Sequence, residues 1–474
     1  MNGSRAGQGN PSGARDKISS AMPEAYSETA RALAILRGHG WNATSFQILE
    51  PGFRYWFEPQ VCVAYIDTGR AWVAAGAPIG PPHLVPAAAQ RFAVAAAGNG
   101  RRACFFGTED RFATTSPFAA MRIGEQPVWD PRAWDDTVRA TASLRAQIRR
   151  AGAKGVEVRP FDPRLLADTN SQARRDVDRL IARWQAAHPM PPMGFLVQMH
   201  LDSALEERRL FAAHLGNSLV GFLSMVPVFA RPGWFIEDLL RLPHAPNGTA
   251  ELLVDAAMRA AAAAGTAYVT LGLAPLAGEV GPWLRIARRT GLPLYDFRGV
   301  QAFKAKLRPQ SWAPIHISYP RGQSGIATVY DALAAFARGG LLRFGVETLL
   351  RRPGVLIQAL ALILVPWTIL IAFAPAERWF PSPAVKWGWV AFDAALAPAL
   401  SSLARRWRRG LDTTLATLVT TDAAATLFQL IAWNLRHGPR GALTWIVGAI
   451  SVIAPTLVAA LLWAGRRSGR ANAA

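Results

Sequence analysis

The sequence predicts an α+β fold followed by an all-α membrane region, on three observations. Between about residues 26 and 319, short β-rich runs alternate with amphipathic helical stretches. The order of these elements is similar in two successive halves. After about residue 350, four apolar stretches of roughly 20 residues follow one another. With 51% hydrophobic residues and 17 Trp among 474 positions, the chain has apolar surface for large cores, which excludes disorder throughout. Fifty-two Lys plus Arg against 32 Asp plus Glu leave a net charge of +20, which suits anionic partners or a membrane surface.

Residues 1–25 are Gly, Ser and charge without an apolar core, so they read as a disordered tail and not as a secretory signal. A first half, 26–154, has strands expected at Arg54–Phe57, Val61–Ile66, Arg70–Gly76 and Arg102–Phe106. Gly76-Ala-Pro-Ile-Gly-Pro-Pro82 interrupts them before a helix over Val85–Ala97, and a long basic helix follows over Trp134–Ala151. A second half, 155–322, has strands expected at Val156–Arg159, Leu210–Leu215, Ser218–Val228, Trp234–Leu240 and Ala267–Leu271. Its helices are expected at Ser171–Ala187, Thr249–Ala264 and Gly299–Leu307. An amphipathic connector, 323–352, leads to a four-helix transmembrane region, 353–465, and a basic tail, 466–474.

The four apolar stretches are Gly354–Ala374, Val385–Ala404 with Asp393, Leu411–Trp433 with Asp412 and Asp422, and the uncharged Ala442–Ala464. Each is long enough to span about 30 Å of hydrocarbon as a helix. Arginines cluster at 351–352, 405–409 and 466–470, while the alternate loops are poorer in them. Four crossings place the three clusters on one side, and the positive-inside tendency makes that side, with residues 1–350 and both termini, cytoplasmic. Asp422, in mid-span, reads either as a transport residue or as a structural group facing protein or a lumen.

Four stretches could carry chemistry. In Gly233-Trp-Phe-Ile-Glu-Asp-Leu-Leu-Arg241, Glu237, Asp238 and Arg241 interrupt an apolar strand. Strand alternation puts Asp238 on a face with Trp234, Ile236 and Leu240, where a carboxylate needs a cation: a substrate amino group, or an arginine of the chain itself. Asn247 and Gly248, just before the Thr249 helix, suit either plain capping or phosphate binding. Gly272 and Pro275, in Leu271-Gly-Leu-Ala-Pro275, mark a strand-end turn that would also let a ligand approach. The chain has five lysines, and Lys304 and Lys306 lie together with Arg308 on a helix whose apolar stripe is Val300, Phe303 and Leu307. They read as a basic cleft edge for phosphate or carboxylate, or as a solvated face. The two cysteines, Cys62 and Cys104, sit in apolar runs and read as buried thiols, which excludes a disulfide framework and a Cys-based zinc site. No metal or cofactor is expected.

The order and spacing of these stretches resemble the C-terminal catalytic domain of phosphatidylglycerol lysyltransferases, the aminoacyl-phosphatidylglycerol synthases also called multiple peptide resistance factors. The residues that carry the resemblance are Arg183-Trp184, Met193-Gly-Phe195, Asp238-Leu-Leu-Arg241, Pro246-Asn-Gly248, Leu271-Gly-Leu-Ala-Pro275, and Phe297 to Pro309 followed by Trp312 and Tyr319. The resemblance implies two GNAT-like acyltransferase halves in tandem and transfer of an aminoacyl group from aminoacyl-tRNA to phosphatidylglycerol at a bilayer. It implies catalytic roles for Asp238, which would hold the amino group, and for Arg241, Lys304 and Lys306, which would face the oxyanion, the tRNA end or the lipid phosphate. Glu237, Asn247, Gly248, Gly272, Pro275 and Arg308 would line the substrates.

Two departures stand out. Ala277 occupies the position where the family commonly has a Ser, and the membrane stretches follow the catalytic region where a long flippase region usually precedes it, so flipping of product is not implied. An acyl-CoA signature is also missing, because Ala245 stands where a Gln or Arg would lead it. Two other readings stay open: a GNAT-like transferase with another donor or amphiphilic acceptor, and a degenerate binding domain that regulates the membrane helices.

Overall fold

The computed structural model describes residues 28–187, 193–290, 296–338, 340–350, 353–405, 410–437 and 441–471. The expected tail at 1–25, Arg351, Arg352 and most of the 405–409 arginine cluster lie outside them. The chain forms two compact units, one reaching Leu341 and the other starting at Leu342.

The first unit is built on twelve strands: β1 (Arg54–Phe57), β2 (Cys62–Asp67), β3 (Ala71–Ala75), β4 (Arg102–Glu109), β5 (Ala119–Trp129), β6 (Val156–Phe161), β7 (Arg209–Leu215), β8 (Ser218–Val228), β9 (Gly233–Arg241), β10 (Val269–Thr270), β11 (Ala274–Pro275) and β12 (Ser311–Tyr319). Its principal helices are α1 (28–39), α2 (Val85–Gly98), α3 (Ala142–Ala153), α4 (Gln172–Ala187), α5 (Thr249–Ala263), α6 (Pro282–Thr290), α7 (Phe297–Lys306) and α8 (Gly325–Phe336). The strands make one sheet in the order β1-β2-β3-β4-β12-β5-β10-β9-β8-β7-β6, with β11 beside β5.

Both halves follow the same plan. Each opens with an antiparallel meander, β1-β2-β3 or β7-β8-β9, and then crosses through a helix, α2 or α5, to a parallel strand, β4 or β10. These are two like halves, as the doubled order of elements predicts, and they are interleaved. The last strand of the second half, β12, pairs with β4 of the first, and the last strand of the first half, β5, pairs with β10 of the second. β5 and β12 pair with each other along nine residue positions, from Ser311 to Tyr319, at the centre of the sheet. Neither strand is legible as one in the sequence, because Gly124, Pro127, Pro314 and the charged Arg122 and Glu125 break the apolar alternation. The expected long basic helix is also two pieces, Trp134–Ala140 and α3, because Thr141 takes an extended conformation between them.

Three hydrophobic cores flank strands β8 and β9. One, with Phe46, Ile48, Val226, Phe235 and Ile317, draws on both halves. Another, with Trp129, Leu223, Ile236 and Met258, packs α5 against the opposite face of the second half. A third, with Phe222, Leu240 and Leu242, lies under α4. Cys62 and Cys104 are fully buried and unpaired, as their apolar runs predict, and burial pushes the Cys62 thiol up to about 12.

The second unit contains α9 (Pro353–Phe373), α10 (Pro383–Arg405), α11 (Leu411–Gln429) and α12 (Ala442–Ala471). Among the described residues three segments are long and apolar enough to cross a membrane: Gly354–Phe373, Leu411–His437 and Trp445–Trp463. The expected second span, α10, is helical over 23 residues but is not among the three, because Asp393, Pro398, Gly388 and two serines dilute its apolar residues.

Candidate functional site

Strand β9 carries the site, and an irregularity in its register makes it. Ser224 of β8 faces Asp238, and Met225 faces Ile236, so Glu237 is an extra, bulged residue. The bulge resets the alternation. Ile236 and Leu239 pack into the α5 core, whereas Phe235 and Leu240 belong to the opposite face. Asp238, opposite Ser224, therefore shares the face of Phe235 and Leu240, and not that of Trp234 and Ile236 as simple alternation predicts.

On that face Glu237 and Asp238 meet two residues outside the four stretches singled out in the sequence. Arg208, whose side chain is fully buried, donates to Glu237 Oε2 at 2.5 Å, to Ser224 Oγ at 3.1 Å, and to the carbonyls of Ser203 and His200 at 3.0 Å each. Its guanidinium also lies 5.3 Å from the Phe46 ring centre. Glu50, from the end of the short helical turn Ala43–Leu49, approaches from the first half. Three carboxyls thus surround one guanidinium. Both oxygens of Glu50, Oε1 of Glu237 and Oδ2 of Asp238 are buried and accept no hydrogen bond.

The charge imbalance has a direct consequence. Burial, then the neighbouring Glu237 carboxylate, push the pKa values of both Glu50 and Asp238 well above the carboxylate range, against the opposing pull of Arg208. Without a ligand Glu50 and Asp238 hold protons, and a bound cation would take their place. His200, whose carbonyl binds Arg208, has its Nε2 buried without a partner, and burial lowers its pKa so that the ring is neutral at pH 7.

Strand β10 runs parallel to β9 only at Val269 and Thr270 and then departs, opposite the bulge. The chain beyond it curls around Lys304 of α7, whose Nζ donates to the carbonyls of Leu271, Gly272 and Leu273 at 2.8 Å each. Burial presses this pKa down to about 7, while three carbonyl acceptors favour the charged form. All three protons of the ammonium are committed. Lys304 therefore supplies the partners that these carbonyls lose when β10 leaves β9, and it positions the Gly272 turn. Gly272 has φ +67° and lies against the Phe235 ring, where a Cβ would stand 2.7 Å from a ring carbon.

The other expected site residues separate. Lys306 pairs with the buried Glu251 at 2.5 Å in the first turn of α5. Arg241 spends Nη1 on the Ala245 carbonyl at 3.2 Å. Neither of these bonds is to the acidic cluster. Gly248 has φ +99°, and a Cβ there would overlap the Gln147 carbonyl of α3. Helix α3 packs directly against this turn. Asn247 is exposed and makes no capping bond. Pro275 pairs with Gly124 in the sheet, and Arg308 is exposed after α7.

A second buried ion pair lies where the halves meet. Arg231 donates to Glu109 Oε2 at 2.8 Å and is stacked between Trp41 and Tyr268, each ring centre 4.4 Å away, while Gln126 donates to the other oxygen of Glu109 at 3.1 Å. Here one acid meets one base.

The family described as phosphatidylglycerol lysyltransferase, C-terminal, matches residues 33–319, more than half of the chain. The chain belongs to that family. An uncharacterized protein of Corynebacterium glutamicum is 24% identical over 307 residues, covering 60% of this chain; the match spans 38% of that relative's length. Two solved structures share the fold. The C-terminal domain of a putative lysylphosphatidylglycerol synthetase from Agrobacterium fabrum has a TM-score of 0.58 at 21% identity, covering 66% of this chain and 98% of that one. The L-PGS structure from Bacillus licheniformis has a TM-score of 0.56 at 19% identity, covering 65% and 96%.

Proposed function

We propose that this family member moves an aminoacyl group from aminoacyl-tRNA to a hydroxyl of phosphatidylglycerol, on the cytoplasmic side of a bacterial-type inner membrane that the apolar helices of the second unit cross. The observation that carries the reading is the cluster of three buried carboxyls around a single guanidinium, with four oxygens lacking donors. Such a site favours a cation that brings its own N–H groups, and the ammonium of an aminoacyl ester is one.

In the reaction, the lipid hydroxyl oxygen attacks the ester carbonyl and the ribose hydroxyl leaves, so one ester bond forms as another breaks. No net charge is created, and positioning with transient stabilisation of the oxyanion is what the site must supply. Glu50, Glu237 and Asp238 hold the ammonium. Arg208 orients Glu237, and Lys304 acts indirectly by holding the Gly272 turn. Neutral His200, beside Arg208, takes the proton of the lipid hydroxyl and returns it to the leaving oxygen. Arg308 and the basic α6, with Arg285 and Arg289, offer cations to the phosphates of either substrate.

The decisive experiment incubates membranes containing the protein with labelled amino acids, tRNA and phosphatidylglycerol, and follows label into chloroform-extractable lipid with and without ribonuclease. A labelled lipid that ribonuclease abolishes supports the reading and identifies the amino acid. Absence of label from folded protein supplied with charged tRNA and phosphatidylglycerol overturns it.

A further inference from the structure

The second unit contains a site of its own. Helices α9, α10, α11 and α12 line a half-open cavity of about 370 Å³, within the range of small-ligand pockets. Its wall is mostly apolar, with Trp367, Trp389, Leu396, Val419, Leu430 and Val458 among the lining residues. Two carboxylates from different helices, Asp393 of α10 and Asp422 of α11, also line it and are close enough to act on each other electrostatically.

The polar groups around them are already partnered. Gln429 accepts from Trp389 Nε1 at 2.8 Å, and Asn434 donates to the Trp379 carbonyl at 2.9 Å. Asp422 receives only a long contact, 3.5 Å, from Thr426. Asp393 is 6% exposed and has no hydrogen-bond donor among the described residues. Among the described residues no Lys, Arg or His lines the cavity. The helical segment also widens to a π-turn at Leu430–Asn434, beside the cavity, a local distortion frequently found at functional sites. Carboxylates in a membrane helix are costly and call for a partner, and among the described residues no cation lines the cavity to provide one.

We propose that this cavity binds an amphiphile bearing one ammonium group, with the ammonium between Asp393 and Asp422 and the apolar body against the tryptophan and leucine wall. The site rests on the second unit alone and is independent of the reaction at the acidic cluster of the first.

The test uses the full chain in phosphatidylcholine nanodiscs and two matched probes, ω-bromoundecylamine and ω-bromoundecanol. Bromine quenches the fluorescence of nearby tryptophans, and Trp367, Trp379 and Trp389 line the cavity. The expected result is saturable quenching by the amine in excess of that by the alcohol, with affinity falling at least about tenfold in D393N/D422N. Equal quenching by the two probes, or an amine excess that survives in D393N/D422N, overturns the proposal. Should the double variant not fold by size exclusion and circular dichroism, Ala454→Phe decides, since it fills the cavity without removing charge. Loss of the amine excess there supports the site, and its persistence overturns it.

Discussion

The two buried ionic clusters of the first unit differ in stoichiometry, and that difference separates scaffold from site. At Glu109 and Arg231 one acid meets one base, two aromatic rings flank the guanidinium, and Gln126 satisfies the second carboxylate oxygen. At Glu50, Glu237 and Asp238, three acids share Arg208, and four carboxyl oxygens lack donors. Both clusters require tertiary contacts between distant segments. In the balanced one both carboxylate oxygens have donors, while the unbalanced one is satisfied only with protons or with a cation from outside.

The contrast between the clusters is largest in activity. Asp238→Asn should lower aminoacyl-lipid formation by about a hundredfold or more, on the scale of removing one partner of a buried charge pair, while leaving Tm unchanged or raised. A Tm lowered in step with activity would mean that Asp238 is scaffold. Glu109→Ala should do the reverse. By stranding the Arg231 guanidinium it should destabilise the unit by about 3 kcal/mol, read from denaturant unfolding followed by tryptophan fluorescence. A neutral result would remove the distinction between the clusters.

The Gly248 turn sharpens the case against a phosphate site at α5. Gly248→Ala forces a side chain into positive φ against the Gln147 carbonyl and should cost roughly 1–3 kcal/mol of stability, with the KM for charged tRNA unchanged in whatever protein folds. A rise in that KM without loss of stability would restore the phosphate reading.

The smallest effect is on pH dependence. Because folding raises the pKa values of Glu50 and Asp238, the folded state binds more protons than the unfolded state between the ordinary carboxylate range and the raised values. Their contribution is therefore harmless in acid and lowers stability as pH rises, so Tm should decline from about pH 5 to about pH 8. Glu50→Gln should flatten that slope. Equal slopes in wild type and Glu50→Gln would contradict the account of the cluster.

Legibility in the sequence differs from element to element. The meander strands and crossover helices follow local periodicity, which places them within a few residues. Periodicity does not reveal strands β5 and β12, because nothing local makes Ala119–Trp129 or Ser311–Tyr319 a strand; each becomes one by pairing with the other and with the opposite half. Asp238 stands out as an acid among hydrophobes, yet alternation assigns it to the wrong face, since one bulged residue inverts every position after it. Glu50 carries a similar signal, standing as a lone acid after Phe46-Gln-Ile-Leu49, whereas Arg208 sits in a charged run that offers none. Lys304 stands out for its rarity, but its role depends on three carbonyls some thirty residues away.

The sequence by itself determined the α+β class, the doubled order of elements, the family and the apolar helices, because each depends on patterns within a short window or on motifs in order. Only the tertiary structure decided which acids face one another, which cations are committed and where a charge is left without a partner. Those properties are sums over groups from distant parts of the chain, and a sum of charges in a buried space is a property of the space and not of any segment that enters it.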